Sequence, residues 1–308
     1  MDFLNWLRVI VLGIVEGITE WLPISSTSHL MVIGELWKGD PAVFTEGFRK
    51  MFDVVIQLGA ILAVVTVFFY KLNPFSAYKS EQQKKNTRAL WVKILIATVP
   101  AVILGLIFDD LIDRYLASNF YVIGAMLILY GAAFLVVETF FMKNDPTIMR
   151  YSRLSYLTAL YIGCAQVLAL IPGTSWSGVT IIAALLLGCS RYLAVEFSFF
   201  MAIPVMLGAS LLKFVKYIFL DHMELTGLQV GVIFLAAGVA YLVSLVVIRS
   251  ILYYIKRHDF KPFGIYRIVA GIAVILLAIF LFSSPKDADR PDEGAEEASV
   301  VYVIGEAR

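Results

Sequence analysis

Long apolar stretches separated by short polar ones dominate the chain. Taking about 20 mostly apolar residues as the length that crosses a bilayer, six segments qualify, at roughly 51–70, 91–108, 118–141, 191–218, 228–253 and 264–283. Two other apolar regions do not. Residues 3–37 are interrupted at "LPISSTSH" and residues 155–189 at "IPGTSWSG", and each piece, about 12–18 residues, is long enough to enter a bilayer but mostly too short to cross it. The pattern predicts an all-α integral membrane protein with six transmembrane helices plus two re-entrant helical hairpins.

Composition agrees. The chain has 308 residues, 60% of them hydrophobic and 16% charged, far more apolar than a soluble domain of that length. The net charge of +1 says nothing about nucleic acid, but no basic block resembles a binding tail, so no nucleic-acid partner is expected. Cys164 and Cys189 both fall in apolar stretches, which favours buried small-residue packing over a disulfide. The N-terminus lacks a basic region and a clear cleavage site, so it reads as mature protein.

Lys and Arg collect in cytoplasmic loops. The 71–90 loop holds Lys71, Lys79, Lys84, Lys85 and Arg88; the 142–154 loop holds Lys143, Arg150 and Arg153; the 254–263 loop holds Lys256, Arg257 and Lys261. Acidic connections lie between them, with Asp109, Asp110 and Asp113 in one and Asp221 and Glu224 in the other. Lys84 is therefore expected inside and Asp113 outside. The first hairpin then enters from the outer face and the second from the inner face. "LGIVEGITEWLPISSTS" and "IGCAQVLALIPGTSWSG" support that opposition, aligning Gly13, Glu16 and Pro23 with Gly163, Gln166 and Pro172. Two inverted repeats are expected, 1–150 with hairpin 3–37 and 151–284 with hairpin 155–189. The acidic tail 285–308 reads as disordered or appended.

Broken backbone at membrane depth is tolerable only where it lines a polar cavity, and the free N–H groups at the helix starts after each Pro suit an anion. Glu16 and Glu20, four apart, share a helix face. At about 2.5–3.5 kcal/mol per carboxylate at membrane depth, the pair points to a function, as ligands of a divalent cation or as a proton-handling pair. Nothing has the Cys/His spacing of a zinc site. His29 follows the hydroxyls Ser25, Ser26 and Thr27, where it could serve as acid or base or activate a hydroxyl. In the second break, Gly173 lets backbone approach an anion, and Thr174, Ser175 and Ser177 add donors. Trp176 stands among them, where a cation would be expected; local helix geometry gives it no structural reason to be there.

Together, "EGITEWLPISSTSH", "FDVVIQLGAILAVV", "PGTSWSGVT", "SRYLAVEFSFFMAIP" and "KPFGIYRIV" resemble the undecaprenyl-diphosphate phosphatase family of the bacitracin-resistance type, from about residue 5 to 283. The resemblance implies hydrolysis of undecaprenyl diphosphate to the monophosphate and inorganic phosphate, recycling the lipid carrier of cell-wall precursors at the outer face of a bacterial plasma membrane. It also implies Mg2+ or Ca2+ as cofactor. Carried over, the family's paired glutamates fall on Glu16 and Glu20, its histidine on His29 and its hydroxyls on Ser25, Ser26 and Thr27. Its phosphate loop falls on Pro172 to Ser177, with Gly173, Thr174, Ser175, Trp176 and Ser177 as substrate-binding residues. Catalysis is expected from Glu16, Glu20, Ser26 and His29. Two departures stand out: Ser28 replaces the Gly usual before the histidine, and Trp176 replaces the loop arginine, so weakened activity is expected. A polyprenyl-phosphate transporter is the alternative, because broken helices in inverted repeats also build transporters; an inactive lipid-binding relative is the third reading. A homodimer and the identity of the nucleophile, water or serine, stay open.

Overall fold

The computed structural model describes residues 2–116, 119–142 and 145–282; the tail at 285–308 lies outside them. Among the described residues, helix is the only regular secondary structure apart from an isolated bridge between Ile148 and Cys189. The chain opens with α1 (Phe3–Thr19) and α2 (Ser26–Leu36), followed by α3 (Glu46–Val55), α4 (Gln57–Val67) and the single turn α5 (Phe69–Leu72). Long helices α6 (Glu81–Tyr115) and α7 (Phe120–Val136) come next. A second short pair, α8 (Tyr156–Gln166) and α9 (Trp176–Leu186), precedes α10 (Arg191–Val215), α11 (Gly227–Ile255) and α12 (Lys261–Phe282). Among the described residues six helical stretches are long and apolar enough to cross a membrane, and both broken regions form two short helices each, as the sequence predicts. The chain is a multi-pass membrane protein.

Two boundaries differ from expectation, for one reason. The first span begins at Glu46, because α3 buries Phe48, Met51, Phe52 and Val55 while also carrying Glu46, Arg49, Lys50 and Asp53, which depress its hydropathy. Likewise α6 begins at Glu81, inside the expected 71–90 loop. Its start is fixed by a capping box in which Ser80 and Gln83 satisfy each other's backbone N–H groups. Lys84, Lys85 and Arg88 therefore stand on a helix. Polar residues extend both helices without extending the apolar signal.

Packing is close where side chains are small. Along the α7–α12 contact, Gly124 faces Gly271 and Gly131 faces Gly264, so the two backbones approach where lipid offers no hydrophobic drive for association. Glu138 and Glu196 are buried but paired. Glu138 accepts from Arg191 and from the Phe260 N–H at 3.0 Å. Glu196 accepts from Lys71 Nζ and Tyr151 Oη, each at 2.6 Å, and from Tyr192 Oη at 3.2 Å. Of the cysteines, Cys189 is buried as expected, whereas Cys164 is exposed and so does not serve buried packing. His222 and His258 are exposed, as their loop positions suggest.

Candidate active site

The two helix breaks meet. Glu16 lies in the last turn of α1 and Glu20 caps it, the Glu20 N–H reaching the Glu16 carbonyl at 3.0 Å, so the four-residue spacing puts both carboxylates on one face. Both are fully buried. After the break, Ser25 adopts φ 74° and starts α2. Its Oγ pairs with Ser28 Oγ at 2.8 Å, and Ser26 Oγ donates to the Glu20 carboxylate.

The second break repeats this geometry. Gly173 has φ 89°, and a Cβ there would lie 2.5 Å from the Ile123 carbonyl oxygen, so only glycine fits. Thr174 is buried beside it. Ser175, at φ 68°, caps α9 by accepting from the Gly178 N–H at 3.2 Å, and its Oγ also pairs with Ser177 Oγ at 3.2 Å. Non-glycine residues at such φ cost of order 1–3 kcal/mol and persist only where their surroundings hold them.

Trp176 joins the breaks. Its Nε1–H donates to Glu20 Oε1 at 2.7 Å, and its ring meets the edge of Trp21 at 6.4 Å. The indole therefore has a structural reason to be there, contrary to the sequence reading: it takes up a carboxylate oxygen supplied by the other half of the chain. A second bridge was missed altogether. Arg267 of α12, fully buried, donates from Nη1 to the Pro23 carbonyl at 3.0 Å and from Nη2 to the Gly173 and Thr174 carbonyls at 2.8 and 2.9 Å. A cation inside the apolar 264–283 span was the available signal, since an intramembrane charge needs a partner.

A cavity of about 390 Å³ opens between the breaks. Of the predicted residues, Glu20, Ser25, Ser26, Thr27, Gly173, Ser175, Trp176 and Ser177 line it. Glu16, Thr174 and His29 are not in its wall. Glu16 lies behind Glu20, with neither carboxylate oxygen hydrogen-bonded. His29 is held between the Ser25 carbonyl, 2.7 Å from Nδ1, and Tyr266 Oη, 2.7 Å from Nε2. A carbonyl can only accept, so Nδ1 carries a proton, and in the neutral ring Nε2 accepts from the tyrosine. Helix α3 adds Arg49, Lys50 and Asp53, and α10 adds Lys213. Sequence reasoning missed these because each sits in a stretch read as loop or plain span. A second cavity of about 420 Å³, mostly apolar, runs between α6 and α10 and shares Val54, Ile112, Ala169, Leu170, Trp176 and Lys213 with the first.

Fold and cavity define a multi-pass helical membrane protein with an internal polar site that continues into an apolar groove. Residues 9–273 match the family described as Bacitracin resistance protein BacA, and the chain belongs to it. It is 51% identical over 272 residues to the undecaprenyl-diphosphatase of Lactiplantibacillus plantarum, covering 88% of this chain and 97% of that protein. It is 50% identical over 280 residues to that of Enterococcus faecalis, covering 90% and 98%. The Streptococcus thermophilus undecaprenyl-diphosphatase is 49% identical over 269 residues, covering 87% and 92%.

Proposed function

We propose that this chain hydrolyses undecaprenyl diphosphate to undecaprenyl phosphate and inorganic phosphate in a bacterial plasma membrane. The observation that carries the reading is the convergence of Glu20 with the hydroxyls of both breaks on one cavity, in a chain about half identical to relatives named for that activity. The loop amides and the hydroxyls of Ser175 and Ser177 suit the terminal phosphate. Ser26, donating to the Glu20 carboxylate, has the arrangement of a hydroxyl beside its base. In either route the P–O bond to the bridging oxygen breaks and undecaprenyl phosphate leaves: attack by water gives inorganic phosphate directly, whereas attack by Ser26 Oγ, its proton passing to Glu20, gives a phosphoserine that water then hydrolyses to inorganic phosphate. His29, engaged at both nitrogens outside the cavity wall, fits a positioning role for the strained Ser25. The apolar groove beside Trp176 suits the first units of the lipid tail.

The residues fit a divalent cation. Two adjacent buried carboxylates, one with both oxygens unpartnered, have the donor chemistry that suits a hard cation. Among the described residues no group of three or more His, Cys, Asp or Glu side chains forms a full cage, and Mg2+ is commonly held by one or two carboxylates with phosphate and water completing its shell. Glu16 and Glu20 would hold Mg2+ or Ca2+, which when bound offsets diphosphate charge.

Several features support an inverted repeat of two halves. Ser25 and Ser175 share positive φ at matching helix starts. Helix α1 packs on α11 as α8 packs on α6. Gln166, matched with Glu16, is likewise buried with an unpartnered oxygen. With the loop charges, this reading opens the cavity to the outer face.

Phosphate release by purified protein in detergent tests the proposal. Translocation of labelled lipid across liposomes without phosphate release would overturn it in favour of a polyprenyl-phosphate transporter, and binding with neither would leave an inactive lipid-binding relative. Cross-linking in native membranes decides whether a homodimer forms.

A further inference from the structure

We propose that Lys213 is a substrate-binding residue that meets the lipid-linked phosphate, at the point where the polar cavity passes into the apolar groove. The inference rests on the reading of the substrate as a polyprenyl diphosphate, not on its hydrolysis. Among the described residues that line both cavities, Lys213 is the one that carries a charge; the others, Val54, Ile112, Ala169, Leu170 and Trp176, are apolar or aromatic. The remaining cations of the polar cavity, Arg49 and Lys50, do not line the groove, and Lys50 is paired with Glu46 at 2.7 Å.

A polyprenyl diphosphate changes character along its length in a fixed order: terminal phosphate, lipid-linked phosphate, apolar tail. Ser175 and Ser177, which suit the terminal phosphate, flank Trp176, itself a wall of both cavities. With the tail in the groove, the lipid-linked phosphate therefore falls at the junction. There it is the last charged group before apolar walls, where burial without a partner is costly. A lysine suits that place, because its apolar stem can lie along apolar surface while its ammonium stays with the polar end. Lys213 is half-buried and held in register with α3. Three residues earlier on α10, Ser210 Oγ donates to the Val54 carbonyl at 3.0 Å, and Val54 also lines both cavities. Cleavage leaves the bridging oxygen and its charge on the lipid-linked phosphate, so Lys213 meets the lipid product as well as the substrate.

Lys213→Met keeps an unbranched apolar stem and removes the charge. Undecaprenyl phosphate, undecaprenol and inorganic phosphate are each titrated against the detergent-solubilised full chain, and the rise in unfolding temperature gives each dissociation constant through mass action. Lys213→Met is expected to bind undecaprenyl phosphate at least about tenfold more weakly than wild type, the scale of one hydrogen bond to a charged group, and Lys213→Arg should restore most of the loss. Undecaprenol, which has the tail without the charge, and inorganic phosphate, which has the charge without the tail, should bind Lys213→Met as they bind wild type. Unchanged binding of undecaprenyl phosphate by Lys213→Met overturns the inference, as does a wild-type protein that does not bind it. An equal loss for undecaprenol also overturns it, by marking a packing defect, and so does an equal loss for inorganic phosphate, by moving Lys213 to the terminal phosphate. Protein that binds in the expected pattern yet releases no phosphate from undecaprenyl diphosphate would sink the hydrolysis reading alone and leave Lys213 in its place.

Discussion

Arg267→Met is the sharpest test of how the two breaks are held together. The guanidinium makes three hydrogen bonds, to the carbonyls of Pro23, Gly173 and Thr174 at 3.0, 2.8 and 2.9 Å, with no exposure. Bonds from a charged donor contribute about 1.5–3 kcal/mol each, so their gross value is about 4.5–9 kcal/mol. Against this stands the cost of burying the guanidinium, several kcal/mol, which methionine recovers. The three carbonyls left without a donor cost about 1–3 kcal/mol each, so a net loss of a few kcal/mol remains. At roughly 2–4 °C per kcal/mol, the unfolding temperature should fall by on the order of 10 °C. Differential scanning fluorimetry in detergent measures it, and phosphate release well below the new midpoint reports the site. Activity should be lost even where the variant remains folded, because both cavity walls hang from the same cation. Arg267→Lys should recover only part of either quantity, since an ammonium cannot span the carbonyls as a planar fork does. An unfolding temperature within about 2 °C of wild type, with full phosphate release, would refute the reasoning.

Glu16→Gln and Glu20→Gln are each expected to lower hydrolysis sharply and shift its metal dependence; wild-type rates with unchanged metal titration would remove both from the ligand set. Trp176→Arg is expected to raise turnover by at least about tenfold, part of what one charged donor at a developing oxyanion provides; unchanged phosphate release at saturating metal would show that another cation already fills that role. Gly163→Ala would put a Cβ 2.1 Å from the Ala97 carbonyl oxygen, whereas Gly208→Ala meets nothing within 4 Å; thermal melts should show a large loss for the first and a shift within about 0.5–1 kcal/mol for the second. In a background lacking Cys164 and Cys189, Glu224→Cys should react with an impermeant thiol reagent in intact cells and Lys84→Cys should not; the reverse pattern would invert the orientation.

What could be read in the sequence follows from the range of each interaction. Spans announce themselves because lipid requires continuous apolar surface, and the breaks announce themselves because Pro23, Pro172 and the hydroxyl clusters interrupt it. Helix α3 was cut short because the polar groups that reach the cavity, Arg49 and Asp53, mask the buried face that Phe48 and Phe52 supply. Glu16 and Glu20 were paired correctly since one helical turn fixes their relation. Trp176 could not be paired, because its partner stands 156 residues earlier. The role of Arg267 was hidden for the same reason, its Pro23 contact spanning 244 residues. His29 shows the converse. Its neighbours in sequence are cavity hydroxyls, but its ring turns to Tyr266 of the last helix.

The position of Arg267 also has a consequence for the order in which the protein is made. It lies in α12, the last of the described helices, while the carbonyls it binds belong to segments made far earlier. Until α12 enters the bilayer, both breaks hold backbone oxygens turned toward a gap. The arginine, in turn, enters at a cost of about 2.5–3.5 kcal/mol unless those oxygens await it. Each side makes the other's insertion favourable, so the two breaks reach their final shape only once α12 is in place. A chain that stops before α12 is therefore expected to lack activity, its two breaks being without the cation that joins them.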